Sequence, residues 1–507
     1  MAFTPTDEQD QIVAAIEKGS NIAVQALAGT GKTATLLLGA QAKERRLKQG
    51  LYIAFGSANR KDAQQRFPGT VESHTSHSVA MEEVGRYYRR RFGRKDSRRT
   101  GGQLTDAFKV KPFAPSPART ITSVGVAVLA KQAVGRFARS ADSELTAWHV
   151  PRPDGIDADT AQALKEHVLP FAKAMWLDLQ DPHGDRAEFD HDHYRKIWAL
   201  KKPKLKYNFI MLDEAQDTDK LMLDVLKQQQ CQLIAVGDSN QQLYAWRGAT
   251  SALAAWPADV RLHLTESFRF GPAIAEEANK WLAALGEELR LHGRGPAGKV
   301  GPLTDADAVL CRTNAGAVEA AWEAIQAGRT VGMAKKVATD IKEMCKAALE
   351  LQAGLQCDYG VLATFGSWHE VLHYVQTDPS AGDLAVFVRL VEKWGAAQLL
   401  KIAKQFKDTE RSKVDLTVMT GHRAKGLQYP RVKIGTDFRE PLLNEDGMVR
   451  EMDPAELQLC YVAATRASEH LDCEAVSWID SYLKGDATPD QLQRWYDREL
   501  KKAGDHV

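Results

Sequence analysis

The stretch "QALAGTGKT", Gln25 to Thr33, carries residue types suited to holding a polyphosphate. It departs from the pattern G-x-x-x-x-G-K-[ST] in one place, with Ala26 where the first glycine stands. Backbone N–H groups of Gly29, Gly31 and Lys32 would face the phosphates at a helix N-terminus, where the helix dipole also favours an anion. Lys32 would reach the β- and γ-phosphates, and the Thr33 hydroxyl would ligate magnesium. Alanine at the first position costs little if it needs no positive φ. Downstream, "FIMLDEAQD" ends an apolar run in two acids. Asp213 is placed to hold a magnesium shell, and Glu214 to orient or deprotonate an attacking water. Two acids at a strand end can be merely solvated; after a phosphate loop they read as hydrolytic. The transferring phosphoryl group also needs positive charge. Arg269 in "LTESFRFGP" and Arg466 in "YVAATRA" are candidates for it, although composition alone makes each a surface arginine.

These residues need a sheet to position them. "NIAVQA", "LYIAF", "FIMLDEA" and "CQLIAVGD" read as buried strands, and "TATLLLGAQAKERRL" as a helix. "AVLCRT", "VDLTVMTGH" and "VKIGTDF" repeat the strand signature later, with helices such as "PAELQLCYVAATRA" between them. The alternation predicts an α/β fold with helix-covered parallel sheets. Two strand sets, Asn21 to Asp238 and Val260 to Val476, predict two lobes, each with a mostly helical interruption.

The 507 residues exceed one ordinary core, and 44% hydrophobic with 26% charged residues suits a globular enzyme. No apolar run approaches the roughly 20 residues of a membrane span, and the N-terminus lacks signal-peptide character. Six cysteines without a C-x-x-C pair predict reduced thiols, with neither a zinc site nor a disulfide framework. A formal net charge of +1 says nothing of a nucleic-acid partner, which has to be argued from local charge. The expected location is cytoplasmic, nucleoid-associated in a bacterium or phage-infected cell.

In this order the pieces resemble superfamily 1A helicases of the UvrD/Rep/PcrA type, with wording nearest the F-box DNA helicase group. "TDEQDQ" is similar to the Q motif, "ALAGTGKT" to motif I, "AFGSANRKDAQQRFP" and "HTSHSVA" to motifs Ia and Ib. "LDEAQD" resembles motif II, "VGDSNQQLYAWRGA" motif III, "LTESFRF" motif IV, "VMTGHRAKGLQYP" motif V and "LCYVAATRA" motif VI. The resemblance implies two RecA-like P-loop lobes in tandem: 1A at 1–83 and 206–258, and 2A at 259–340 and 413–507. It implies an accessory domain 1B at 84–205 and a short 2B at 341–412. It implies ATP and Mg2+ as cofactors, with Gln9 reading the adenine and Phe268 stacking on it. Ala28, Gly29, Thr30, Gly31, Lys32, Thr33 and Ala34 would surround the phosphates, and Gly426 and Gln428 would contact the nucleotide. Gln241 would sense the γ-phosphate, and Arg269 and Arg466 would be arginine fingers. Phe55, His77, Tyr244, Trp246 and Arg247 would line a single-strand path; aromatic faces stack on any base at about 1–3 kcal/mol, so such binding ignores sequence. His77 has a plainer reading as part of a helix cap.

The implied activity is an ATP-dependent DNA helicase moving 3′-to-5′ on single-stranded DNA. A translocase that strips bound proteins without unwinding is an alternative, as is an ATP-gated DNA-binding subunit that needs a partner. The implied partners are single-stranded DNA and DNA junctions with a 3′ tail, with single-strand-binding or recombinase proteins as further candidates and no membrane. Three departures stand out. Gln428 replaces the glutamate that usually ends motif V, Phe268 replaces a common tyrosine, and motif Ia lacks a Thr-Asn pair. No F-box is expected ahead of the Q motif, and no appended nuclease domain is expected after motif VI. "GRYYRRRFGRKDSRR" interleaves arginines with Tyr87, Tyr88 and Phe92 and predicts nucleic-acid contact. "KKPKLK" reads as a solvated linker. "HDH" at His191 to His193 lacks a further metal ligand and reads as a loop.

Overall fold

The computed structural model describes residues 4–504 apart from 45, 93–98, 100, 117–118, 154–155, 244–251, 358, 360–361, 363–364, 378–381 and 410–412. It divides into two compact units, residues 1–26 with 31–264, and residues 265–507 with 27–30.

In the first unit, α1 (Asp7–Lys18) leads into β1 (Ile22–Ala26), α2 (Lys32–Glu44), β2 (Gly50–Ala54), α3 (Ser57–Arg66), β3 (Val71–Thr75) and α4 (Ser76–Glu83). A helical region follows, with α5 (Gly101–Phe108), a small antiparallel hairpin (β4, Phe113–Ser116; β5, Arg119–Ile121), α6 (Ser123–Arg139), α7 (Ala158–Gln180) and α8 (His191–Leu200). The chain then returns through β6 (Phe209–Leu212), α9 (Lys220–Lys227), β7 (Gln232–Gly237), α10 (Ala252–Ala255) and β8 (Val260–Leu264). The sheet is parallel throughout, in the order β3-β2-β6-β7-β1-β8. Its central strands are buried on both faces, which is why β2 and β6 read as continuous apolar runs rather than alternating ones. The strand at Val260, which its place in the sequence groups with the later set, instead pairs with β1 over Ile22 to Ala26. Chain order does not decide sheet membership; the Asp259 carboxylate accepts from the Asn21 N–H at 2.8 Å and helps fix this register.

The helical region carries a buried ion pair. Arg91 Nη2 donates to Asp178 at 3.0 Å, and the same guanidinium donates to the carbonyls of Asp181 and Ala187. Tyr88 stacks on Phe189 at 4.9 Å and donates its hydroxyl to the Gln180 carbonyl. Part of the basic, aromatic run expected at nucleic acid therefore belongs to a core, whereas Tyr87 remains exposed.

In the second unit, β9 (Glu266–Ser267), α11 (Pro272–Ala284), β10 (His292–Gly293), β11 (Lys299–Val300), β12 (Ala308–Cys311), α12 (Asn314–Gln326) and β13 (Val331–Met333) precede helices α13 (Lys335–Gln352), α14 (Trp368–Thr377), α15 (Gly382–Trp394) and α16 (Ala396–Ala403). β14 (Lys407–Asp408), β15 (Leu416–Thr420), α17 (Gly421–Ala424), β16 (Tyr429–Ile434), α18 (Pro454–Ala464) and β17 (Ala467–Asp472) complete a second parallel sheet, ordered β11-β17-β16-β12-β15-β13-β14. Its core runs from β12 and β15 into α13, α15 and α16.

Candidate nucleotide and nucleic-acid site

Ala26 is the buried last residue of β1 and is absent from the positive-φ positions, so the strand end has no need of glycine there. Gly29 and Gly31 do adopt left-handed backbone, at φ +77° and +80°. Lys32 opens α2 and donates to the Ala26 carbonyl at 3.4 Å. Thr33 Oγ1 donates to Asp213 Oδ2 at 2.7 Å, and the buried Tyr52 hydroxyl donates to the same oxygen at 2.6 Å. Burial raises the Asp213 carboxyl above its ordinary range and the Glu214 charge adds to this, against the bonds from Tyr52 and Thr33. Thr33 and Asp213 fit a magnesium ion. They offer two hard oxygens side by side, and that ion characteristically takes few protein ligands and keeps water and substrate phosphates.

Glu214 holds a left-handed backbone at φ 50°, unusual for a residue with a side chain and worth about 1–3 kcal/mol of strain. The surroundings fix it. Its N–H donates to Asp213 Oδ1 at 2.9 Å, and Gln216 Nε2 donates to its carboxylate at 2.6 Å. Gln216 Oε1 in turn accepts from the Asp238 N–H at 2.9 Å, and Gln241 Nε2 donates to Asp238 Oδ2 at 2.6 Å. Burial raises the Asp238 carboxyl, with Lys32 as the main opposing charge. A continuous polar web therefore runs from Glu214 through Gln216 and Asp238 to Gln241. Sequence reading found its ends and missed Gln216 and Asp238, although both lie inside the quoted motifs.

Gln9 is fully buried. It closes a capping box with Thr6, and its Nε2 donates to Thr35 Oγ1 on α2 at 3.1 Å. Ala28, Gly29 and Thr30 group with the second unit, where Phe268 N–H donates to the Gly29 carbonyl at 2.9 Å and Ala28 N–H donates to the Tyr461 hydroxyl at 3.1 Å. Ala34 lies in the first turn of α2. Phe268 is exposed, as are Gly426, at φ +82°, and Gln428. Arg269 bonds Gln428 and the Thr465 carbonyl. Arg466 is buried, its guanidinium spread over Val462, Leu427 and Thr465.

Phe55 is 46% exposed just past β2. His77 lies in the first turn of α4, whose cap is formed by Thr75 and Ser78, so the histidine is not itself the cap. His77 Nε2 meets Asp192 at 3.0 Å, and Asp192 also pairs with Arg139 and Arg195. These bonds and the cationic neighbours hold the Asp192 carboxyl well below the usual range although burial opposes them. The "HDH" stretch is thus the start of α8, and it buttresses His77. Both Phe55 and His77 line one cleft of about 660 Å³ in the first unit, which also reaches Asp213. Tyr244, Trp246 and Arg247 lie outside the described residues.

In the second unit a further loop escaped sequence reading. Thr313 caps α12, Asp437 accepts from the N–H groups of Arg312 and Thr313, and Arg312 forks onto Glu456. The signal was present in "RTNAG", a capping threonine after an apolar strand.

Parallel sheet, glycine loop at a strand end and acids closing a second strand of the same sheet, one strand removed, together define a P-loop α/β protein with a second parallel sheet of the same kind. Residues 6–254 match the UvrD/REP helicase N-terminal domain family, and most of the chain is homologous to F-box DNA helicases. It is 27% identical to F-box DNA helicase protein 1 of Schizosaccharomyces pombe over 96% of this chain and 60% of that protein. With F-box DNA helicase 1 of Gallus gallus the identity is 28%, over 92% of this chain and 48% of the relative. A probable DNA helicase II homolog of Mycoplasma pneumoniae is 30% identical over 96 residues, covering 17% of this chain and 13% of its own length. The chain thus spans about half, or somewhat more, of the length of the two relatives that align along it. Both of those are eukaryotic and lend no support to the expected nucleoid association. Among the described residues no helix is long and apolar enough to cross a membrane.

Proposed function

We propose that the chain is an ATP-driven motor on single-stranded DNA that separates strands as it moves 3′-to-5′. The web joining Glu214, Gln216, Asp238 and Gln241 carries this reading, because it ties a hydrolytic carboxylate to a γ-phosphate sensor through buried hydrogen bonds. The glycine loop and Lys32 bind the phosphates, and Gln9 and Phe268 serve the adenine. Thr33 and Asp213 would hold magnesium, which would supply positive charge against the charge that develops on the phosphates. Glu214 accepts the proton of the water that attacks the γ-phosphorus as the bond to the β-phosphate oxygen breaks. Arg269 and Arg466 of the second unit supply the remaining positive charge, and Gly426 and Gln428 belong to the same nucleotide machinery. Phe55, His77, Tyr244, Trp246 and Arg247 grip the bases. The division into 1A, 1B, 2A and 2B given above, with β8 now counted in 1A so that 2A starts after Leu264, is part of the same proposal, as are DNA junctions with a 3′ tail and single-strand-binding or recombinase partners.

The test is unwinding of two matched duplexes, one with a 3′ and one with a 5′ single-stranded tail, with ATP and magnesium. Opening of the 3′-tailed duplex alone is expected, and opening of the 5′-tailed one alone contradicts the direction. If neither opens while single-stranded DNA still stimulates hydrolysis, the chain is the translocase that strips proteins.

A further inference from the structure

Two hydrogen bonds in the second unit give Gln428 a use that its exposed position does not suggest. Arg269 Nε donates to Gln428 Oε1 at 3.2 Å, and Arg269 Nη1 donates to the Thr465 carbonyl at 2.8 Å. Thr465 is the C-cap residue directly after α18, so its carbonyl sits at the negative end of a helix, where a guanidinium is favoured. The arginine is thus held from two directions, by a neutral amide and by a helix end.

The peptide carrying Gln428 is itself fixed on both sides by one buried residue. Arg466 Nη1 donates to the Leu427 carbonyl at 3.3 Å, and the Arg466 carbonyl accepts from the Tyr429 N–H at 3.0 Å. Its Nε donates to the Val462 carbonyl and its Nη2 to the Thr465 hydroxyl, both at 2.9 Å. Residues 427 and 429 are therefore pinned to Arg466, just past α18, and the side chain between them has a defined reach. Arg269 also follows directly on Phe268, whose N–H donates to the Gly29 carbonyl at 2.9 Å, three residues ahead of Lys32 in the chain. The residue that Gln428 holds thus adjoins a residue bonded to the phosphate loop.

We propose that Gln428 is a positioning residue that aims Arg269 at the transferring phosphate, with Arg466 as the clamp that sets the 427–429 peptide. This rests on the ATPase reading. A glutamine suits the task because an amide oxygen orients a guanidinium without neutralising it. A carboxylate there would share the arginine's charge and hold it more tightly than a neutral acceptor does.

The experiment is a double-mutant cycle of Gln428→Leu and Arg269→Ala, read by steady-state ATP hydrolysis and by affinities for MgADP and for MgADP with aluminium fluoride. Gln428→Leu is expected to lower kcat about tenfold and weaken the aluminium fluoride complex equally, with KM and MgADP affinity within about twofold. The double variant is expected to be no slower than Arg269→Ala alone, because without the arginine there is nothing to aim. Gln428→Glu is expected to lower kcat with KM unchanged. Multiplicative losses in the double variant overturn the proposal. So does a Gln428→Leu variant that loses MgADP affinity and its discrimination between ATP and 3′-deoxy-ATP, since the side chain then serves the sugar. Failure of the unmutated protein to bind MgADP refutes the ATPase reading instead. The exposed position of Gln428 leaves folding intact, and an unchanged urea midpoint verifies this.

Discussion

Replacing Gln216 by leucine keeps its volume and removes both ends of the amide. Gln216 Nε2 donates to the Glu214 carboxylate at 2.6 Å, and Oε1 accepts from the Asp238 N–H at 2.9 Å. A hydrogen bond to a charged group is worth about 1.5–3 kcal/mol, and leaving a buried N–H unpaired costs about 1–3 kcal/mol. The second amount appears as lost stability. The first sets how firmly Glu214 is aimed, and if it is expressed in the transition state it corresponds to about a 10- to 100-fold fall in kcat. Gly237 offers an independent route to the same amide, since a Cβ there would lie 2.4 Å from Gln216 Oε1. Gly237→Ala should therefore reproduce the kcat loss in milder form. Steady-state ATP hydrolysis, nucleotide affinity and urea unfolding separate the two amounts. The expected pattern is a lower midpoint, a large fall in kcat and nucleotide affinity within about twofold. A destabilised variant with unchanged kcat refutes the claim that the web orients the catalytic carboxylate.

Phe55→Ala should weaken binding of a short single-stranded oligonucleotide about 5- to 100-fold in fluorescence anisotropy, as one stacking platform is lost, and leave ATP affinity unchanged. Arg466→Lys keeps the charge but loses the planar fork; with two or three bonds gone, unfolding free energy should fall by about 2–3 kcal/mol and ATP hydrolysis with it. Asp178→Asn strands the buried Arg91 charge and should cost about 3–5 kcal/mol at neutral pH in urea unfolding. Burial opposes ionisation of Asp178, but the Ala187 N–H and Arg91 outweigh it and hold the carboxyl below the ordinary value of 3.8. The stability it contributes is therefore present above that value and lost as pH falls through the folded one, so the gap between the native protein and the Asn variant should narrow below about pH 4.

What the sequence revealed was local. A glycine loop between a buried strand and a helix, and acids closing another apolar strand, are signals within a few neighbouring residues, and Lys32, Thr33, Asp213 and Glu214 stand together or adjacent as those signals imply. What stayed hidden depends on partners distant in the chain. Arg91 reads as one of a basic run, yet its partner Asp178 comes 87 positions later. "HDH" reads as a loop because Asp192 meets His77 across 115 positions. Arg466 reads as a surface residue until the 427–429 peptide is folded against it. Gln9 is a milder case: "TDEQ" spells a capping box, and that local signal competes with adenine recognition for the same amide.

The central claim, that hydrolysis at the glycine loop is geared to single-stranded DNA, is tested most directly by the steady-state rate of ATP hydrolysis with magnesium, measured with and without a single-stranded oligonucleotide, for the native protein and for Lys32→Ala. The account predicts a rate that rises many-fold with the oligonucleotide and disappears in the Lys32→Ala protein under both conditions. Hydrolysis indifferent to DNA, or surviving the loss of Lys32, would contradict it.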